Sequence, residues 1–78
     1  MDIHELKTHK VYFTDLVDGN KTFEVRKNDR NFKIGDILHL KEWDGEKYTS
    51  RSIGARITYF MVAPEYVKDG YVILGIKF

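Results

Sequence analysis

The chain has 78 residues, 42% of them hydrophobic and 32% charged, with a net charge of +1 and no cysteine. That length supports one small domain, expected to span residues 1–78, which buries about 60% of its unfolded surface; the lack of cysteine excludes disulfides and thiolate metal sites. A charge so near neutral excludes a protein that coats nucleic acid through phosphate contacts alone.

No apolar run approaches the ~18 residues of a membrane span, since the longest, 57–63, is interrupted by Thr58. Residues 1–7 are charged and have no apolar stretch of the kind a secretory leader carries, so a cytoplasmic protein without membrane partners is expected. The charge is uneven. Five bases (Lys21, Arg26, Lys27, Arg30, Lys33) oppose two acids (Glu24, Asp29) between positions 21 and 33.

In chain order, a first strand is predicted over 3–8 and a helix over 10–18. Tyr12 with Leu16 and Phe13 with Val17 make one apolar stripe on that helix. Thr8 or His9 would open it and Gly19 would close it, because glycine accepts the left-handed conformation found just past helix ends. A strand follows over 22–27, then turn chemistry at Asn28-Asp29-Arg30-Asn31. Gly35 supplies a turn into a strand over 37–43, with Leu38 and Leu40 on one side and Ile37 and Trp43 on the other. Asp44-Gly45 signals a hairpin, and 48–51 begins the return strand. Residues 53–61 alternate, with Ile53, Ala55, Ile57, Tyr59 and Met61 opposite Gly54, Arg56, Thr58 and Phe60. Ala63-Pro64-Glu65 breaks this run, and Asp69-Gly70 signals a turn into a last strand over 71–78. That strand places Val72, Leu74, Ile76 and Phe78 on one face. The pattern is α+β but mainly β: about five or six strands and one early helix, in a small closed or nearly closed barrel, since closure removes strand edges.

The segment richest in chemistry is Gly19-Asn20-Lys21-Thr22-Phe23-Glu24-Val25-Arg26, which reads G-x-K-x-x-E-x-R. Strand alternation predicts that Phe23 and Val25 enter the core while Thr22, Glu24 and Arg26 share the opposite face. Arg26 offers a planar fork suited to phosphate or a base edge, Lys21 a point charge, and Glu24 a carboxylate to hold one of them. An exposed ion pair contributing about 0–1 kcal/mol is the plain alternative, and spacing leaves both open. Arg30 extends the site if its turn folds back, and Lys7 lies on the first strand. Trp43 and the tyrosines at 48, 59, 66 and 71 either stack on bases or pack in the core, packing being the expectation for most.

His4 and His9 lack the i,i+4 helical spacing and neighbouring carboxylates of a metal site, so no metal and no cofactor is expected. His39 is expected on an outer face. No Ser-His-Asp or Cys-His set is visible, and the segment 19–22 lacks the earlier glycine and loop length of a Walker A. Lys21 with Thr22 is a pair that could act as base and nucleophile, since a lysine with a depressed pKa can activate a hydroxyl.

The octapeptide and its setting resemble the ASCH domain family of the PUA-like superfamily, whose hallmark is G-x-K-x-x-E-x-R after an N-terminal helix; Gly19, Lys21, Glu24 and Arg26 match it in full. His4-Glu5-Leu6-Lys7, Arg26-Lys27-Asn28-Asp29-Arg30, Phe32-Lys33-Ile34-Gly35-Asp36, Leu40-Lys41-Glu42-Trp43 and Asp69-Gly70-Tyr71-Val72-Ile73-Leu74 look like a small bacterial and phage branch of unassigned function. The resemblance implies a PUA-like β-barrel with the motif beside a cleft, and RNA binding. Some ASCH proteins are amidohydrolases that deacetylate acetylcytidine nucleosides with a threonine, a lysine and a glutamate. Lys21 matches that lysine, but Glu24 holds the threonine's position, Thr22 lies elsewhere on the strand, and the later glutamate has only Glu65 as a counterpart.

The expectation is thus an RNA- or nucleotide-binding module whose cleft is lined by Lys21, Glu24 and Arg26, with Arg30 and Lys7. A small amidohydrolase using Lys21 and Thr22, and a protein-interaction module, are the alternatives. The sequence leaves the oligomeric state open.

Overall fold

A computed structural model describes residues 1–63 and 65–78. The elements run β1 (Ile3–His9), α1 (Lys10–Val17), β2 (Phe23–Lys27), β3 (Ile37–Trp43), β4 (Tyr48–Met61) and β5 (Tyr71–Lys77). The strands form one sheet in the order β1-β3-β4-β5-β2, which curls into a half-barrel around the core. β1 runs parallel to β3, and the other neighbours are antiparallel. The break expected at Ala63-Pro64-Glu65 falls on Pro64, outside the described residues. Among the described residues no helix is long and apolar enough to cross a membrane.

The inner face follows the period-two pattern. Leu6 of β1, Leu38 and Leu40 of β3, Ala55 and Ile57 of β4, and Val72, Leu74 and Ile76 of β5 form one core with Leu16 and Phe32. Phe78, expected on the same face, is exposed beyond the end of β5. The helix is thinner in contact than its stripe suggests. Phe13 and Leu16 are buried, while Tyr12 and Val17 stay exposed, because a two-turn helix at the rim has only one side against the sheet. His9 caps its start, Nδ1 accepting from the Val11 amide. Its end is a Schellman turn: the Gly19 amide donates to Leu16 O and the Asn20 amide to Asp15 O, with Gly19 at φ +79°.

β4 is one strand of 14 residues that joins the return segment 48–51 to the alternating run 53–61. Its register against β5 shifts between Ile57 and Tyr59, one extra residue opening a bulge. Alternation therefore changes phase: Ile57 faces in, Phe60 takes the next inward place, and Tyr59 and Met61 turn outward. The expectation that most of the tyrosines pack in the core is overturned. Tyr48, Tyr59 and Tyr66 are exposed and Tyr71 is half-buried. The bulge also explains Gly75, where a Cβ would stand 2.9 Å from Tyr59 Cβ. Gly75→Ala is expected to cost about 1–3 kcal/mol, the range of overpacking, read by chemical denaturation. A neutral or stabilising result would mean that the bulge reorganises freely.

The start of the β1–β3 pair is latched by Asp36. Its buried carboxylate accepts from His4 Nε2 at 2.9 Å and from the amides of Asp2 and Lys33, each at 3.1 Å. The His4 ring meets Phe32 edge-on at 4.8 Å. The hydrogen bond from His4, then that from the Asp2 amide, hold the Asp36 carboxyl below its ordinary value. A carboxyl depressed in the folded state stabilises the fold above its unfolded pKa of about 3.9 and loses that contribution as pH falls through the folded value. Stability is expected to drop in that acid window, and Asp36→Asn to flatten the drop while lowering stability at neutral pH. An unchanged acid limb in Asp36→Asn, followed by circular dichroism, would contradict the latch.

Candidate functional site

β2 is folded inside out relative to its hydrophobic pattern. Glu24 is only 3% exposed, whereas Phe23 and Val25 are 46% and 50% exposed. The register states the same inversion: Glu24 pairs with Leu74 and Arg26 with Val72, the inward residues of β5. The expected core role of Phe23 and Val25 is therefore corrected. The physical reason is that the inward carboxylate is fully partnered. Lys21 Nζ donates to Glu24 Oε1 at 2.7 Å, and Arg26 Nε donates to Oε2 at 2.9 Å. A buried carboxylate between two cations avoids the cost of an unpaired buried charge.

The helix end positions Lys21. Its amide donates to Asp15 O at 3.1 Å, continuing the Schellman turn, and its Nζ also reaches Phe23 O at 2.8 Å. Lys21 thus stands in the turn before β2, with its side chain folded back over the strand.

Arginines bridge the seam between the edge strands β1 and β2. Arg26 Nη2 donates to Lys7 O at 3.0 Å and lies 3.4 Å from Thr8 Oγ1. Arg30 Nη1 donates to Glu5 O at 3.0 Å. Glu5 and Lys7 lie two apart on β1, so their carbonyls point the same way, toward the edge that β3 does not use. The turn after β2 does fold back, but Arg30 serves the seam and does not line the cleft beside it.

That cleft has a volume of about 560 Å³ and lies among Lys7 and Thr8 of β1, Tyr12 of α1, Trp43 of β3, Lys21, and Glu24 and Arg26 of β2. Lys7 Nζ sits 4.2 Å from the centre of the Trp43 ring, and Lys21 Nζ lies 5.6 Å from Tyr12 and 5.1 Å from Phe23. Three cations, one buried carboxylate and aromatic walls share one concavity. Of the sequence-stated candidates, Lys7, Lys21, Glu24 and Arg26 converge there. Thr22 is exposed and outside the cleft, its carbonyl accepting from the Ile76 amide at 3.0 Å.

Thr8 and Tyr12 are cleft residues that the sequence reading missed. Thr8 shares the inward face of β1 with His4 and Leu6, so its direction was legible in the alternation, but its partner Arg26 lies 18 positions away. A further buried carboxylate, Glu42, pairs with Thr8 in the β1–β3 register. Thr49 Oγ1 at 2.5 Å and Arg51 Nη1 at 3.6 Å occupy it, and it does not line the cleft. Among the described residues no cluster of three or more His, Asp or Glu side chains is arranged to hold a metal ion.

Residues 3–76 match the family described as a domain of unknown function, DUF3850. The chain is also similar to the uncharacterized 12.9 kDa protein in the GpA 3′ region of Escherichia phage P2, with 43% identity over 72 residues. That match covers 92% of the chain and 65% of the phage protein's length.

Proposed function

The chain belongs to the DUF3850 family, and we propose that it binds a nucleotide, or one nucleotide of an RNA, in the cleft at the β1–β2 seam. The observation that carries this reading is the convergence of Lys7, Lys21 and Arg26 with Tyr12 and Trp43 around one concavity of about 560 Å³. That volume lies within the range of small-molecule sites, roughly 300–1,000 Å³. A base stacks against an aromatic wall, and phosphate or a base edge meets the cations. Glu24 acts as the positioning residue, since both of its oxygens are engaged in aiming Lys21 and Arg26. Among the described residues Arg26 Nη1 has no hydrogen-bond partner, so the fork keeps donors for a ligand while its other nitrogens hold the protein.

The G-x-K-x-x-E-x-R segment of this chain and its mainly β half-barrel support an ASCH-like, PUA-like assignment, and a cytoplasmic RNA-binding role is proposed with it. Binding is favoured over amidohydrolysis by the position of Thr22 outside the cleft and of Glu24 where the hydrolases place their threonine. The test is titration with short RNAs and mononucleotides at low salt, comparing wild type with Lys21→Ala/Arg26→Ala. Equal binding by both would refute the cleft. Release of acetate from acetylcytidine, abolished by Lys21→Ala, would replace binding with catalysis.

A further inference from the structure

We propose that the outer face of β2, β5 and β4 is a platform for single-stranded RNA that continues from the cleft. The inference rests on the nucleotide reading of the cleft and extends it to a longer ligand. The inversion of β2 puts Phe23, Val25 and Lys27 on this face. Cross-strand register then aligns three rows: Phe23 and Tyr59 on either side of Gly75, Val25 and Met61 on either side of Ile73, and Lys27 beside Tyr71. At the other end Arg56 pairs with Lys77.

Phe23, Val25 and Tyr59 are 46%, 50% and 61% exposed, an unusual concentration of apolar surface for so small a domain. Its charge identifies the occupant. Cations stand at both ends of the apolar rows, and no acidic residue occupies a strand position among them, so the face suits a polyanion that also carries flat apolar rings. Two copies of this face would set Lys27, Arg56 and Lys77 against their own kind. Single-stranded nucleic acid matches both features through phosphate contacts and base stacking. From Tyr71 to Lys77 the platform is about 20 Å long at about 3.4 Å per residue, enough for several nucleotides.

Continuity with the cleft is built into β2. Phe23 and Val25 stand on the outer face and also border the cleft, because β2 is an edge strand whose free side opens onto the seam. A chain with one nucleotide in the cleft crosses this edge directly onto the rings.

The experiment compares uridine monophosphate with an oligouridylate of roughly eight nucleotides, within the site sizes of single-strand binders. The oligomer is expected to bind at least about tenfold more tightly than the monophosphate. Tyr59→Ala is expected to weaken the oligomer roughly fivefold to a hundredfold, the loss of one stacked base, and to leave the monophosphate unchanged. Lys27→Ala/Lys77→Ala, at two exposed positions, is expected to flatten the salt dependence of oligomer binding by about 1.4 in log–log slope. Equal affinities for the two ligands, or variants that bind the oligomer like wild type, would overturn the platform. So would a dimer that Tyr59→Ala dissociates without changing oligomer binding, or an acidic protein that binds this face in place of RNA. The two readings fail separately. Loss of monophosphate binding only in Lys21→Ala/Arg26→Ala reports the cleft, whereas loss of the oligomer's advantage only in Tyr59→Ala reports the platform.

Discussion

Glu24→Ala is expected to destabilise the fold by about 3 kcal/mol, against a total of about 4–12 kcal/mol for a domain of this length. The glutamate side chain is almost fully buried, and it separates two cations that are themselves mostly buried. Removing it leaves Lys21 and Arg26 facing each other without a counter-charge. Breaking a buried pair from one side costs about 3–5 kcal/mol; the low end applies because both cations reach water at the cleft. Glu24→Gln keeps the shape and one acceptor oxygen, so a smaller loss is expected. Denaturant titration reads both variants, and a double-mutant cycle between Glu24 and Arg26 isolates their coupling. A Glu24→Ala loss below about 0.5 kcal/mol, typical of an ordinary surface change, would mean that the carboxylate is solvated and the triad is ornamental.

Lys21→Ala is expected to weaken nucleotide binding roughly tenfold to a hundredfold, because a hydrogen bond to a charged group contributes about 1.5–3 kcal/mol. Adding Arg26→Ala is expected to bring binding near the detection limit. Arg26 also holds the β1 edge through Lys7 O, so part of the double variant's loss comes from an opened seam. Lys7→Ala separates the two effects, since it removes a cleft cation and leaves the carbonyl that Arg26 uses. Arg26→Lys is not a conservative control: lysine cannot serve Glu24 and the β1 carbonyl in the geometry of a planar fork. If Lys7→Ala and Lys21→Ala both bind as wild type does, the cleft is not the nucleotide site. Wild-type binding indifferent to salt would likewise contradict a site whose three cations all reach water at the cleft.

Much of the fold was legible because it is written in local rules. Gly19, Gly35, Gly45 and Gly70 all adopt positive φ, at the helix end and the turns where glycine was expected. Leu38, Leu40, Val72, Leu74 and Ile76 alternate as inward strand residues do. Two things were not local. The bulge after Ile57 changes the phase of β4, and no residue there announces it before the register with β5 is known. The inversion of β2 is the more instructive failure. Phe23 and Val25 are good core residues, and Glu24 is a poor one by composition. What reverses them is a set of partners that strand periodicity cannot see: Lys21 in the preceding turn, and the Lys7 carbonyl 19 positions from Arg26. The motif's residues were visible, whereas their direction depended on charge pairing across the fold.

That direction changes how the motif works. On an outer face the triad would be a solvated ion pair. Facing inward, Glu24 becomes a fixed strut, Arg26 both a bridge and a donor, and Lys21 a cation held over a cleft. The displaced Phe23 and Val25 then form the border between cleft and outer face.

The most direct test is backbone amide and indole NMR of the labelled protein during titration with uridine monophosphate. Saturable shifts centred on Lys7, Thr8, Tyr12, Lys21, Glu24, Arg26 and the Trp43 indole are the expected result. Saturable shifts elsewhere with these signals unmoved, or no shifts at millimolar ligand, would contradict a nucleotide site at the β1–β2 seam.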